Sequence, residues 1–305
     1  MINRREFITR STALATVCST PGVALAEDRI QSRPIPGTDE TLPVVGMGAP
    51  RVFIELPPEG DAVPKAIIHE LMRYGGTVID TPAFNRGNDP ILGQLLTDMG
   101  VQNDLFLIGK ITVRGKEEGM AHLEWSERLL NKRPIDALLV HNMRDIKTHW
   151  PTLKDWKEAG RVRYIGISRT RTTDFADLEQ FMKDERPDLL MIGYSMTQQG
   201  PAERVLPLAR DTGTAVIGAE PFKAREDGAY FEVVASKSLP DWAAEFDCES
   251  WAQFSLKWIL GDPALTCVVT ETTKPHHAAD NMRAGLGRFP DQAMRQRMSD
   301  FLLSL

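Results

Sequence analysis

Glu158-Ala159-Gly160-Arg161-Val162-Arg163-Tyr164-Ile165-Gly166-Ile167-Ser168 passes from a helical stretch into a β-branched and aliphatic run from Val162 to Ser168. Gly160 stands at the junction, where the left-handed residue that ends a helix is easiest for glycine. Repetition of this passage along the chain decides the fold. Upstream, comparable runs are Val44-Val45-Gly46, Thr77 to Asp80, Leu105 to Lys110 and Ala137 to His141; downstream they are Leu189 to Gly193, Ala215 to Gly218 and Thr266 to Val269. Between them lie segments of helical period, Lys65 to Tyr74, Leu123 to Leu130, Phe175 to Met182, Ala202 to Ala209 and Trp251 to Leu260. In the last of these Trp251, Phe254 and Trp258 recur at helical spacing, which gives one face to pack on a sheet. Gly75-Gly76 and Gly100 read as further helix ends, Asp89-Pro90 and Trp150-Pro151 as helix starts. Strands alternating with helices eight times predict an α/β fold, a (β/α)₈ TIM barrel. A doubly wound dinucleotide fold would want a Gly-x-Gly-x-x-Gly turn after its first strand, and none occurs. The stretch from Glu220 to Glu249 exceeds an ordinary barrel loop and is expected to pass over the active-site mouth.

The 305 residues suit one barrel of about 250 residues once an N-terminal segment is set aside. That segment is 1–26: Asn3-Arg4-Arg5-Glu6-Phe7-Ile8 looks like a twin-arginine motif, followed by a Ser/Thr/Ala stretch and the small-residue site Ala24-Leu25-Ala26. The sequence therefore predicts a twin-arginine signal peptide, an encounter with export machinery, a periplasmic or otherwise exported product, and a barrel over 27–305. No other stretch approaches the ~18 apolar residues of a membrane span. A net charge of −6 without a basic cluster argues against nucleic acid and leaves a small-molecule substrate as the expected partner. Cys18 would leave with the signal, and Cys248 and Cys267 are expected to be free, buried thiols. His276-His277 diverge on one turn and no spacing completes a metal site.

In such a barrel the chemistry sits at the carboxyl ends of the strands. Three runs end there in an ionisable residue: Asp80, Lys110 and His141. Singly, each could cap a helix or fill a hydrogen bond in the core. Together they place an anion, a cation and an imidazole around one opening, which points to a site.

From about Leu42 to Asn281 the chain resembles the aldo/keto reductases. The resemblance rests on Val45-Gly46-Met47-Gly48, Gly76-Thr77-Val78-Ile79-Asp80-Thr81, Ile108-Gly109-Lys110, Ile135 to His141, Glu158 to Ser168, and Trp251-Ala252-Gln253 to Leu260. It implies NAD(P)H-linked reduction of aldehydes and ketones, in which a tyrosine protonates the carbonyl oxygen, a lysine paired with an aspartate lowers that phenol's pKa, and a histidine orients the substrate. Asp80, Lys110 and His141 match three of these four. The tyrosine is expected five residues after the aspartate, and that position is Asn85, whose amide donates a hydrogen bond but has no proton to give up. Of the four tyrosines, Tyr230 lies on the stretch expected over the mouth, where it also reads as an ordinary loop aromatic.

The implied cofactor surface, for NADP or NAD, involves Ser168, Arg169, Met191, Thr272, Lys274 and Asn281. Arg169 replaces a family asparagine that holds the carboxamide, Met191 stands where glutamine is common, and Ala219 where an aromatic ring stacks. Glu271 would repel a 2′-phosphate if it faced one. Thr272, Lys274 and Asn281 fit the adenosine-phosphate end or, equally, cap the last helix. Three functions remain open at this point: carbonyl reduction with altered acid chemistry, the proton coming from His141 or an ordered water and Lys110 stabilising the oxyanion; a pseudoenzyme binding an anion through Lys110, Arg86 and Arg169; and non-redox lyase or isomerase chemistry on the same cluster.

Overall fold

The computed structural model describes residues 29–83, 90–170, 174–224 and 228–305. Eight parallel strands close into a barrel: β1 (Val45–Met47), β2 (Val78–Asp80), β3 (Phe106–Ile111), β4 (Ile135–Val140), β5 (Val162–Arg169), β6 (Leu189–Gly193), β7 (Ala215–Ala219) and β8 (Cys267–Thr270). β8 pairs with both β7 and β1, which closes the cylinder. The expected (β/α)₈ architecture is the one observed, with strand ends shifted by a residue or two. The N-terminal signal expected over 1–26, and with it Cys18, lies outside the described residues, as do Phe84, Asn85, Arg86 and Asp89.

Helices follow the strands: α1 (Ala62–Arg73), α2 (Leu92–Met99), α3 (Lys116–Leu129), α4 (Ile146–Glu158), α5 (Ala176–Glu185), α6 (Gly200–Thr212), α7 (Trp251–Leu260), α8 (Pro275–Arg283) and α9 (Gln292–Leu303). Pro151 does not start a helix as expected. It lies inside α4, exposed on the outer face, where water can take the carbonyl that its missing N–H leaves without a partner. α7 does begin as its sequence indicates: the Ser250 hydroxyl accepts the Gln253 N–H at 3.0 Å, and the fully buried Phe254 and nearly buried Trp258 face the barrel.

Strand periodicity sorts the core into two layers. Residues of one parity, including Val78, Ile108, Leu139, Tyr164, Met191 and Ile217, fill the lumen, while the alternate set packs outward beneath the helices. Gly166 is required in the first set, because a Cβ there would lie 2.2 Å from the Leu189 carbonyl oxygen. The bottom is closed by a hairpin, Ser32–Pro34 with Thr41–Pro43, whose Ile35 and Leu42 are buried in the lumen layer. An ion network ties it down: Arg163 pairs with Glu40 and, at 2.7 Å, with Asp136, which also meets Lys132 at 2.6 Å. Cys248 and Cys267 are free and buried, and burial pushes the Cys248 thiol up to about 12. Among the described residues, no helix is long and apolar enough to cross a membrane.

Candidate active site

The parity that fills the lumen continues past its apolar layers and delivers polar residues to the top. Lys110 is two residues beyond Ile108, His141 two beyond Leu139, and Asp80 two beyond Val78. All three line one cavity of about 550 Å³, with Asn142, Met191 and Glu271 also in its wall. Glu220, Pro221, Phe222 and Lys223 line it too, so the first part of the long stretch after β7 does lie over the mouth.

Lys110 Nζ donates to Asp80 Oδ2 at 2.8 Å, and both side chains are largely buried. Asp80 Oδ1 is buried with no hydrogen-bond partner among the described residues. Burial raises the Asp80 pKa above its ordinary value, Lys110 opposes that rise, and the nearby Glu271 carboxylate adds to it. Glu271 leans over Gly48, where a Cβ would come within 2.6 Å of its Cγ, so glycine at 48 gives this carboxylate its place in the mouth.

His141 opens a tight turn, His141–Met143, in which Asn142 and Met143 are both left-handed, at φ +50° and +52°. Its Nδ1 lies 3.0 Å from Ser168 Oγ and its Nε2 3.1 Å from Asn142 Nδ2. The Asn142 backbone N–H donates to Ser168 Oγ at 2.9 Å, and Asn142 Oδ1 accepts the Thr170 N–H at 3.2 Å. Asn142 was not among the expected site residues. The signal for it was thin: an asparagine following a strand-end histidine is a residue that tolerates the left-handed region.

Other expected site residues divide. Met191 is buried in the lumen and lines the cavity. Arg169, one residue out of phase with Ser168, points outward: its guanidinium pairs with Asp177 at 3.0 Å and donates to the Asn142 carbonyl at 3.4 Å. Of the three cations the anion-binding reading groups together, Lys110 alone is placed in the cavity among the described residues; Arg86 lies outside them. Asn85 lies outside them as well. Tyr230 is fully buried, its hydroxyl donating to the Trp251 carbonyl at 2.9 Å, and it does not line the mouth.

A second cavity, of about 420 Å³, shares Phe222 and Glu271 with the first and reaches Thr272, ahead of α8, and Asn281, in the last turn of α8. Each volume lies in the ~300–1,000 Å³ range that holds ligands. Thr272 Oγ1 accepts the Lys274 N–H at 3.1 Å, and Asn281 donates to Thr270 Oγ1 at 3.2 Å. These two side chains therefore shape the far end of the cleft, and Lys274 stands exposed beside it.

The aldo/keto reductase family model matches residues 46–298. The NADH-specific methylglyoxal reductase of Escherichia coli (strain K12) is 22% identical, over 82% of this chain and 92% of its own. An aldo-keto reductase from Bacillus halodurans in its holo form matches in fold with a TM-score of 0.71 at 20% identity, over 90% of this chain and 96% of that one. An aldo/keto reductase from Brucella melitensis does so at 0.66 and 21%, over 89% and 99%. With the family model spanning every barrel strand except the first residue of β1, and the barrel closed as the sequence predicts, the chain belongs to the aldo/keto reductase family.

Proposed function

We propose that this protein is a nicotinamide-dependent oxidoreductase that reduces a carbonyl group without a phenolic acid. The observation that carries this reading is the Lys110–Asp80 pair, 2.8 Å long, at the top of the lumen in the cavity that His141 also lines. A reduced nicotinamide, when bound, supplies the hydride. Met191 and Ala219, which line the cavity, would hold its ring, with Ser168 buried behind His141, and Thr272, Lys274 and Asn281 would take the adenosine end.

This chain's own residues handle charge and proton. Asp80 holds one N–H of Lys110, and the ammonium has two more with which to meet a carbonyl oxygen as it becomes an alkoxide. Such a charge-assisted contact grows stronger toward the transition state, as catalysis requires. Asn85, at the position of the family tyrosine, can orient the oxygen but not protonate it, so the proton comes from Lys110 itself or from a water it orders. The net change is a carbonyl, a hydride and a proton becoming an alcohol. Glu271, at the junction of the two cavities, disfavours a 2′-phosphate in the cleft, and the preferred dinucleotide is NADH over NADPH. The same reading takes 1–26 as a twin-arginine signal, with the barrel folding around its cofactor before export to the periplasm; Arg4→Lys with Arg5→Lys should retain the protein in the cytoplasm.

Thermal and denaturant stability with added dinucleotide tests the core of the proposal. Ligand at 100 times its Kd stabilises by about 2.7 kcal/mol, and NADH should do so at lower concentration than NADPH. No shift with NADH, NAD, NADPH or NADP would end the oxidoreductase reading.

A further inference from the structure

The His141 ring is engaged at both nitrogens, and one backbone N–H decides which way round. The Thr170 N–H can only donate, so the Asn142 atom 3.2 Å from it is the amide oxygen and the amide nitrogen is turned the other way. That nitrogen, also only a donor, lies 3.1 Å from His141 Nε2, which must therefore present a lone pair. A ring with a bare Nε2 is neutral and carries its proton on Nδ1, 3.0 Å from Ser168 Oγ. The same oxygen takes the Asn142 backbone N–H at 2.9 Å, so its two lone pairs serve both the ring N–H and the backbone N–H of the next residue.

We propose that Asn142 is a positioning residue that locks His141 as the neutral Nδ1–H tautomer, which removes the imidazole as proton donor and leaves the second amide N–H of Asn142, with Lys110, to polarise an oxygen in the mouth. Asn142 lines the cavity, as this role requires. Its left-handed backbone is what swings the amide back over the ring of the preceding residue, and Arg169 braces the turn from behind through the Asn142 carbonyl. Among the described residues the charged groups of the cavity are Asp80, Lys110, Glu220, Lys223 and Glu271, with Asp177 paired to Arg169 behind the turn. The role in polarising a substrate rests on the reading of the mouth as a carbonyl-reducing site; the tautomer does not.

The tautomer can be read directly in the full barrel labelled with ¹⁵N-histidine, by long-range proton–nitrogen correlation. The chain has six histidines, and His141→Gln identifies the signal of interest. Expected at neutral pH are a pyridine-like Nε2 and a pyrrole-like Nδ1. A pyrrole-like Nε2, or two protonated nitrogens, would overturn the proposal. Asn142→Gly keeps the left-handed backbone without the amide, and should turn the fixed pattern into a tautomer average. Asn142→Asp, equally tolerant of that backbone, sets an acceptor against Nε2 and should make it pyrrole-like. An unchanged ring in Asn142→Asp would show that the lock lies elsewhere. Failure of the carbonyl-reducing reading shows separately, as absence of dinucleotide binding with the wild-type spectrum intact. If dinucleotide binds, Asn142→Gly should lower kcat about 10²-fold, as loss of one oxyanion donor does, and an unaltered kcat would overturn the amide's share in polarisation.

Discussion

Asp80 shows how the site sets function against stability. Its carboxyl is buried, so its pKa is raised although Lys110 stands 2.8 Å away. The folded chain therefore holds this proton to a higher pH than the unfolded chain does. The stability attached to it is present at acid pH and is lost as pH rises from the ordinary carboxylate range through the raised folded value. Urea unfolding across that range should show a downward slope that Asp80→Asn flattens. Breaking the pair from the other side with Lys110→Met is expected to cost about 3 kcal/mol, the low end for a buried ion pair because 15% of the lysine side chain is still exposed. Asp80→Leu combined with Lys110→Met should be neutral or stabilising, and both variants should lose reductase activity. Asn85→Tyr is expected to bring in ordinary aldehyde reduction, measured as NADH oxidation with a simple aldehyde; its absence in a variant that still binds dinucleotide would show that more than the phenol is missing. Asp80, Lys110 and His141 were legible in the sequence because each extends an apolar alternation by one step. Asn142 was not, because its role depends on a left-handed turn that no periodicity announces. Sequence adjacency to Ser168 suggests a place for Arg169 beside the cavity, but strand parity turns it outward to Asp177.

Among the elements, α7 carries a group that no apolar stripe predicts. Lys257 is fully buried, its Nζ donating to the carbonyls of Leu286 at 2.6 Å and Arg288 at 3.0 Å, 5.5 Å from the centre of the Phe289 ring. It fastens α7 to the chain between α8 and α9, and burial pushes its pKa down to about 8. Above that pH the folded chain releases a proton that the unfolded chain keeps up to the ordinary lysine value of 10.5, so the Lys257 contribution to stability rises with pH between 8 and 10.5 and is flat below. The difference in unfolding free energy between wild type and Lys257→Met, followed by urea titration from pH 7 to 10, should show that rise. A constant difference would mean that the ammonium is not held as described. Strands were easier to read than helices, because a lumen buried on all sides imposes continuous apolar runs, whereas α2 is only eight residues long and α4 carries in its interior a proline that reads as a helix start.

At the scale of the whole molecule the barrel separates its tasks along its axis. Site residues gather where strands end, and the opposite end is filled by Ile35 and Leu42 and held by the Arg163, Glu40, Asp136 and Lys132 charges. The sequence made the closed cylinder legible through eight runs of one kind, but gave no hint of the hairpin plug, whose two short strands carry no alternation of their own. Separation along the axis has a measurable consequence, since conservation of shape at the mouth depends on the strands and not on the plug. Ile35→Ala removes a buried side chain from a layer that cannot collapse around the gap, and should cost about 2–5 kcal/mol with no change in the urea m-value. The dinucleotide Kd measured on the same variant under native conditions should stay at the wild-type value. A weakened Kd in Ile35→Ala would mean that strain at the base reaches the mouth through the strands, and that the two ends of the cylinder are coupled.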